Sequence, residues 1–296
     1  MKYSDKLTNV NELQSNDNFL IRSAKKSPQL ILGIILTGLV LAITLVSFFW
    51  TPWDPIAIDI EKRLLTPSLS HWFGTDRLGR DLLSQIMVGS QNTLYVTLVS
   101  TLIGVVLGTS LGLAAAGSGP RWGGILTRIS DIGIAIPSIL IALVLATTLG
   151  PGRLSVIIAI SFWFVPVTAR VVVGPARQIL SLDFVEAAMT HGRTRMYIVF
   201  RQVLPNIAPI VIVQTSMMFA AGILIEASLS FLGVGAQPPI TSWGKILMDS
   251  QPLVQEAPYY TLLPGSFVVI TVLGFNLLGD GLAVLLDPQQ SQKGVA

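Results

Sequence analysis

The chain has 296 residues, 51% of them hydrophobic and only 12% charged, with a mean hydropathy of +0.68. A soluble domain carries about twice that share of charge, so the composition excludes one and describes a polytopic membrane protein. The absence of cysteine excludes disulfides and thiolate chemistry, and two scattered histidines (His71 and His191) are too few for a metal cluster. The net charge of +3 comes from basic residues spread over the ends of apolar segments, not from one patch, so it implies no nucleic-acid partner.

Residues 1–28 read as a polar cytoplasmic tail, with some helix around Phe19, Leu20 and Ile21. A first span over about 31–50 ends in Phe48, Phe49, Trp50 and Trp53, an interfacial aromatic belt rather than a cleavage site. Residues 51–90 carry both signs of charge and form the first outer segment. Within it Asp76 reads as a helix N-cap, with Asp76/Arg80 and Arg77/Asp81 spaced to pair on a surface helix.

From Leu82 to Pro120 there is no charge for 39 residues, more than one crossing requires. A second span is expected over about 93–115, where Gly104, Gly108 and Gly112 make a small-residue face for close helix packing. A short loop over 117–124 leads to a third span over about 129–149, containing Pro137. A tight turn at 150–153 leads to a fourth over about 154–172, with Arg170 and Arg177 at its exit.

Residues 183–206, DFVEAAMTHGRTRMYIVFRQVLPN, are a polar island between apolar segments. Asp183 and Glu186 have capping-box spacing, and Val185, Ala188, Met189 and Gly192 fall on one helical stripe of small and apolar groups. Gly192 is placed to end that helix in a left-handed cap. A second amphipathic run sets Met196, Val199, Phe200 and Val203 against Thr194, Arg195, Arg201 and Gln202, and Leu204–Pro205 turns the chain back toward lipid. The pattern fits a docking element standing out of a membrane domain; an ordinary basic loop with two surface helices is the plainer alternative.

A fifth span is expected over about 207–228, a second outer segment over 233–260 and a sixth span over about 264–285, followed by a cytoplasmic tail over 289–296. Of the 19 lysines and arginines, only Lys62, Arg63, Arg77, Arg80, Arg153 and Lys245 then lie outside. That asymmetry puts both termini and the 183–206 island in the cytoplasm. Asp131, Glu226 and Asp280 fall near span ends, where solvent or headgroups would satisfy them. No Gly-x-x-x-x-Gly-Lys-Ser/Thr phosphate cradle occurs, so the chain reads as no enzyme, and any work driven by ATP has to be powered by another chain.

Several of these stretches resemble one family. Glu186-Ala187-Ala188, then Gly192 and Leu204-Pro205, are similar to the EAA loop of ABC-importer permeases. Gly74-Thr75-Asp76 through Gly79-Arg80-Asp81 to Ser84 resembles a signature of the dipeptide/oligopeptide/nickel branch. So do the run from Glu226 through Gly235, Gln237 and Pro239 to Trp243-Gly244, and the ending Phe275-Asn276-Leu277-Leu278-Gly279-Asp280-Gly281. Departures are visible at Gln202, where an apolar residue is usual, and at Ala283-Val284, where Arg-Asp is usual.

The resemblance spans about residues 60–288 and implies an all-α, six-helix permease of the type I ABC-importer fold in the bacterial inner membrane, its transmembrane domain over 29–288 and its coupling loop over 177–206. It implies a second homologous permease chain, two cytoplasmic ATPases holding ATP and magnesium, and an extracytoplasmic substrate-binding protein. Asp183, Glu186, Ala187, Ala188, Gly192, Arg195 and Pro205 would serve coupling to the ATPase. Asp76, Arg80, Asp81, Gly235, Gln237 and Trp243 would serve receptor docking or gating at the outer face. Peptide is the first cargo the resemblance suggests; nickel or another metal chelate is the alternative. An ion-driven carrier is disfavoured because no span holds a mid-membrane acid or basic relay. A tethering scaffold would have no need of small-residue span faces.

Overall fold

The computed structural model describes residues 28–286. The tails expected over 1–28 and 289–296 lie outside the described residues except for Pro28, as do the helical reading near Phe19 and the Asp287-Pro288 ending.

The described chain is all helix and loop. Its helices are α1 (Pro28–Ser47), α2 (Leu82–Gly117), α3 (Pro120–Ala135), α4 (Ser138–Leu149) and α5 (Arg153–Leu180). There follow α6 (Asp183–Thr190), α7 (Arg195–Ile198), α8 (Leu204–Phe231), α9 (Trp243–Ser250) and α10 (Pro258–Leu286). α7 runs through a π-helical segment (Val199–Val203) into α8, making one helix of 37 residues, Arg195–Phe231. Five helices are long and apolar enough to cross a membrane: α1, α2, α5, α7–α8 and α10.

The third expected span is instead a bent pair. α3 and α4 meet at 79° and make a sixth crossing only if counted together. Proline disfavours the helical region for the residue before it, and here Ile136 (φ −87°, ψ 118°) and Pro137 (φ −61°, ψ 131°) are both extended. The second span is also longer than expected. α2 has 36 residues and begins at Leu82, because Asp81 caps it. At 1.5 Å per residue it is about 54 Å long, well beyond the ~30 Å of a bilayer core.

Glycine sets the helix packing. Gly104, Gly108 and Gly112 put the backbone of α2 against α5: a Cβ on Gly104 would strike Phe164 Cβ, one on Gly108 would lie 2.5 Å from Thr168 Cβ, and one on Gly112 2.8 Å from Ala169 O. α1 packs on α10 in the same way, with Gly33 over the Leu278 backbone and Gly281 under Leu30. Without a hydrophobic drive between helices in lipid, such close approach is the main source of cohesion. Buried apolar clusters fill the bundle from the Leu82–Trp243 end, through Phe164 and Met218, to the Leu113–Ile207 end.

Candidate functional site at the two ends of the bundle

At one end of the bundle, α6 is a single eight-residue helix with one fully buried residue. Val185 is wholly buried among Leu113, Val172, Ala176, Ile198 and Val203. The expected capping box is not formed. Leu182 is the N-cap, no side chain caps the helix, and Asp183 and Glu186 sit in the first turn, where their charge suits the helix dipole. Glu186 and Ala187 are exposed and Ala188 half-buried, so part of the small-residue face is open.

Gly192 closes α6 with φ +74° and open space around its Cα, so its requirement is backbone conformation, not close contact. Its amide donates to Met189 O and that of Arg193 to Ala188 O, satisfying the helix end. Thr194 then caps α7 by accepting from Tyr197 N at 3.3 Å, and the Arg193 guanidinium lies over the Tyr197 ring at 4.8 Å. Arg195 is exposed.

The second amphipathic run is rotated from the expected register. Ile198 and Val203 are buried, whereas Met196 and Phe200 are 67% and 57% exposed. Nor does the chain turn at Leu204–Pro205. The helix continues, and the π-helical turn just before Pro205 widens the helix where a proline ring would clash with the preceding turn. With Leu182, Phe184 and Met189 also about half exposed, the element presents an apolar surface of the kind that marks a protein contact.

At the opposite end, residues 71–81 are not a surface helix. Asp76 is fully buried and accepts four bonds: from Leu78 N (2.8 Å), Arg80 N (2.9 Å), Arg80 Nε (2.6 Å) and Gln85 Nε2 (3.0 Å). The expected Asp76/Arg80 pair therefore exists, but in a turn. The N-cap is Asp81, which accepts from Ser84 N and Oγ at 2.8 Å and pairs with buried His71 Nδ1 at 2.9 Å. Arg77 pairs with Asp249 rather than Asp81. Gly79 (φ +77°) is required, since a Cβ there would strike Asp59 O.

Trp243 is wholly buried, with its Nε1 donating to Ile86 O at 3.0 Å and its amide to Thr93 Oγ1 at 3.3 Å. Gly235 is pressed against Ser230, and Gln237 Nε2 donates to Gly233 O and Gly235 O. Glu226, expected to be satisfied by solvent, is 1% exposed, and its Oε1 accepts from Ser230 Oγ at 2.7 Å. Asp131 and Asp280 are exposed as expected, and Asp131 also pairs with Arg170 at 3.4 Å. Asp76, Asp81 and Trp243 thus shape the platform at this end from within; their side chains are buried and withdrawn from its surface.

Sequence reasoning missed the π-helical turn, the His71–Asp81 pair and the role of Asp249, which binds both Lys245 (3.0 Å) and Arg77 (3.7 Å). Asp81 alone had a readable signal, because it stands directly before the long uncharged run.

Fold and site together define a multi-pass, all-α membrane protein with an exposed helical element at one end and a folded platform at the other. Residues 92–292 match the family model "Binding-protein-dependent transport system inner membrane component". The chain is 37% identical over 263 residues to the "Probable D,D-dipeptide transport system permease protein DdpC" of Escherichia coli, covering 88% of each. It is 38% identical over 269 residues to the "Dipeptide transport system permease protein DppC" of Alkalihalophilus pseudofirmus (90% and 88% covered). Against the "Glutathione transport system permease protein GsiD" of Salmonella typhimurium it is 38% identical over 261 residues (87% and 86% covered). A chain of the inward-facing MetNI methionine ABC transporter superposes with TM-score 0.58 at 22% identity, covering 66% of this chain and 93% of that one, a likeness of fold. The chain belongs to the family of binding-protein-dependent transport system inner membrane components and is a polytopic permease subunit.

Proposed function

We propose that this chain forms half of the translocation path of an ATP-driven ABC importer for small peptides, delivered by an extracytoplasmic substrate-binding protein. The observation that carries the cargo class is the set of relatives, whose names specify D,D-dipeptide, dipeptide and glutathione transport. That set favours peptide over a nickel chelate. A second homologous permease supplies the other half of the path, and two cytoplasmic ATPases hold ATP and magnesium. In the inner membrane the chain crosses six times, counting α3–α4 as one crossing, with both termini in the cytoplasm.

The residues 183–206 couple the permease to the ATPase. Glu186, Ala187 and Ala188 meet the ATPase surface, Gly192 sets the exit angle of α6, and Arg195 and Pro205 begin the long helix behind it. Support comes from the exposed apolar and small groups on an element seated by Val185, Ile198 and Val203. It comes also from continuity: Arg195 and Glu226 lie on one helix, so about 46 Å of unbroken helix joins the inner element to the outer platform. Closure of the ATPases on ATP would move that helix as a rigid body and switch the path between inward and outward opening.

The test is Gly192→Pro in the reconstituted importer. Proline fixes φ near −65°, which is incompatible with +74°, so the α6 exit changes while Val185 remains seated. Loaded receptor should still bind, but it should no longer stimulate ATP hydrolysis. Normal stimulation would remove the coupling assignment.

A further inference from the structure

We propose that a pocket on the outer platform is a subsite for the carboxylate of the peptide in transit, an inference that rests on the peptide reading above. The pocket has a volume of about 550 Å³ and lies between α2, the start of α5, the loop at Pro238–Thr241 and α9. That size is within the usual range for small-molecule sites, roughly 300–1,000 Å³. Arg80, Arg153 and Lys245 line it, with Asp249 as the acid among them. Arg80 and Lys245 are offset by Asp76 and Asp249, which leaves Arg153 as the cation of this site that no acid among the described residues balances.

The three cations are not equally committed. Lys245 Nζ is bound to Asp249 Oδ1 at 3.0 Å. Arg80 uses Nε on Asp76, and its terminal nitrogens bond to none of the described residues. Arg153 pairs with no carboxylate among the described residues. Its Nε donates to Asn92 Oδ1, and its guanidinium lies 5.8 Å from the Tyr95 ring centroid. Arg153 is thus held in place by neutral groups while its terminal nitrogens stay available as a fork for an incoming carboxylate.

Asn92 supplies the second, independent sign of a ligand. It is 2% exposed and lines the same pocket, and its Nδ2 has no partner among the described residues. A buried amide donor without a partner is unfavourable, and a carboxylate or peptide carbonyl bound beside Arg153 would satisfy it. Gln85 and Gln91 add neutral polar groups to the lining, while Asp249 is already held by Lys245 and Arg77. The carboxylate and the neighbouring amide of a short peptide thus each meet a matching group at Arg153 and Asn92.

The test uses the complete importer in proteoliposomes with its receptor and ATPases. ATP-driven uptake of alanyl-alanine is compared with that of its C-terminal amide, at receptor concentrations giving equal loading. The free acid should enter about tenfold faster, the order expected for one charge-assisted contact. Arg153→Gln should abolish the preference and Arg153→Lys should keep most of it. Equal uptake of acid and amide by the unaltered importer overturns the subsite, and this comparison decides the matter even if Arg153→Gln fails to assemble. A preference undiminished in Arg153→Gln overturns it too. So does loss of receptor binding by that variant, which would assign the pocket to receptor docking. Uptake of neither peptide, with ATP hydrolysis still stimulated by loaded receptor, would contradict the peptide reading itself.

Discussion

The indole Nε1 of Trp243 donates to the backbone carbonyl of Ile86 at 3.0 Å, with both side chains wholly buried. This contact joins the short helix α9 to the first turns of α2. It ties a segment lying between two long helices to the helix that packs most closely on α5. Replacing Trp243 by Phe keeps most of the volume but leaves the Ile86 carbonyl with one partner fewer, at a cost of about 1–2 kcal/mol. Trp243→Ala opens a cavity as well and should cost about 3–5 kcal/mol. Thermal unfolding of the purified permease pair should rank the variants in that order.

Glu226 makes a narrower prediction. Its Oε1 needs only to accept from Ser230 Oγ, and Glu226→Gln preserves an acceptor of the same shape. That variant should stay within about 1 kcal/mol of the parent, while Glu226→Ala should lose roughly 1–3 kcal/mol. If Gln were as damaging as Ala, the hydrogen bond would not be what the position provides. Thermal stability read beside uptake separates a structural loss from a functional one.

The glycine face of α2 predicts a sharp contrast between neighbouring positions. At Gly108 a Cβ would lie 2.5 Å from Thr168 Cβ and 2.6 Å from Val165 O, so Gly108→Leu should prevent α2 from seating on α5 and abolish assembly. At Gly117, the last residue of α2, nothing lies within 4 Å, and Gly117→Ala should be neutral or slightly stabilising. Membrane-inserted complex recovered after mild detergent extraction is the measure.

Where the sequence was legible, the cause was local. The spacing of Gly104, Gly108 and Gly112 specified the α2–α5 contact, and Gly192 marked the end of α6 because only backbone conformation is at stake there. What could not be read depends on partners far along the chain or on the register of packing. Prolines recur in the spanning helices; Pro166, Pro175, Pro205, Pro209 and Pro264 lie inside unbroken helix, whereas Pro137 stands at the break between α3 and α4. Residue type alone does not separate the two outcomes, since a neighbouring helix can re-satisfy the freed carbonyl. The π-helical turn at Val199–Val203 splits the apolar side expected there, burying Val203 while Met196 and Phe200 stay exposed. Asp76 and Asp81 looked like surface charges because Gln85 and His71 become their neighbours only when the loop folds back onto α2.

The absence of cysteine allows one decisive measurement, because a single Ala187→Cys substitution carries the only thiol in the chain. Ala187 is exposed on α6. In inside-out vesicles of the assembled importer, a membrane-impermeant thiol reagent should label this position, and a short cross-linker should join it to the ATPase subunit. Labelling in right-side-out vesicles instead, or cross-linking to the substrate-binding protein, would contradict the placement of the 183–206 element against the ATPase.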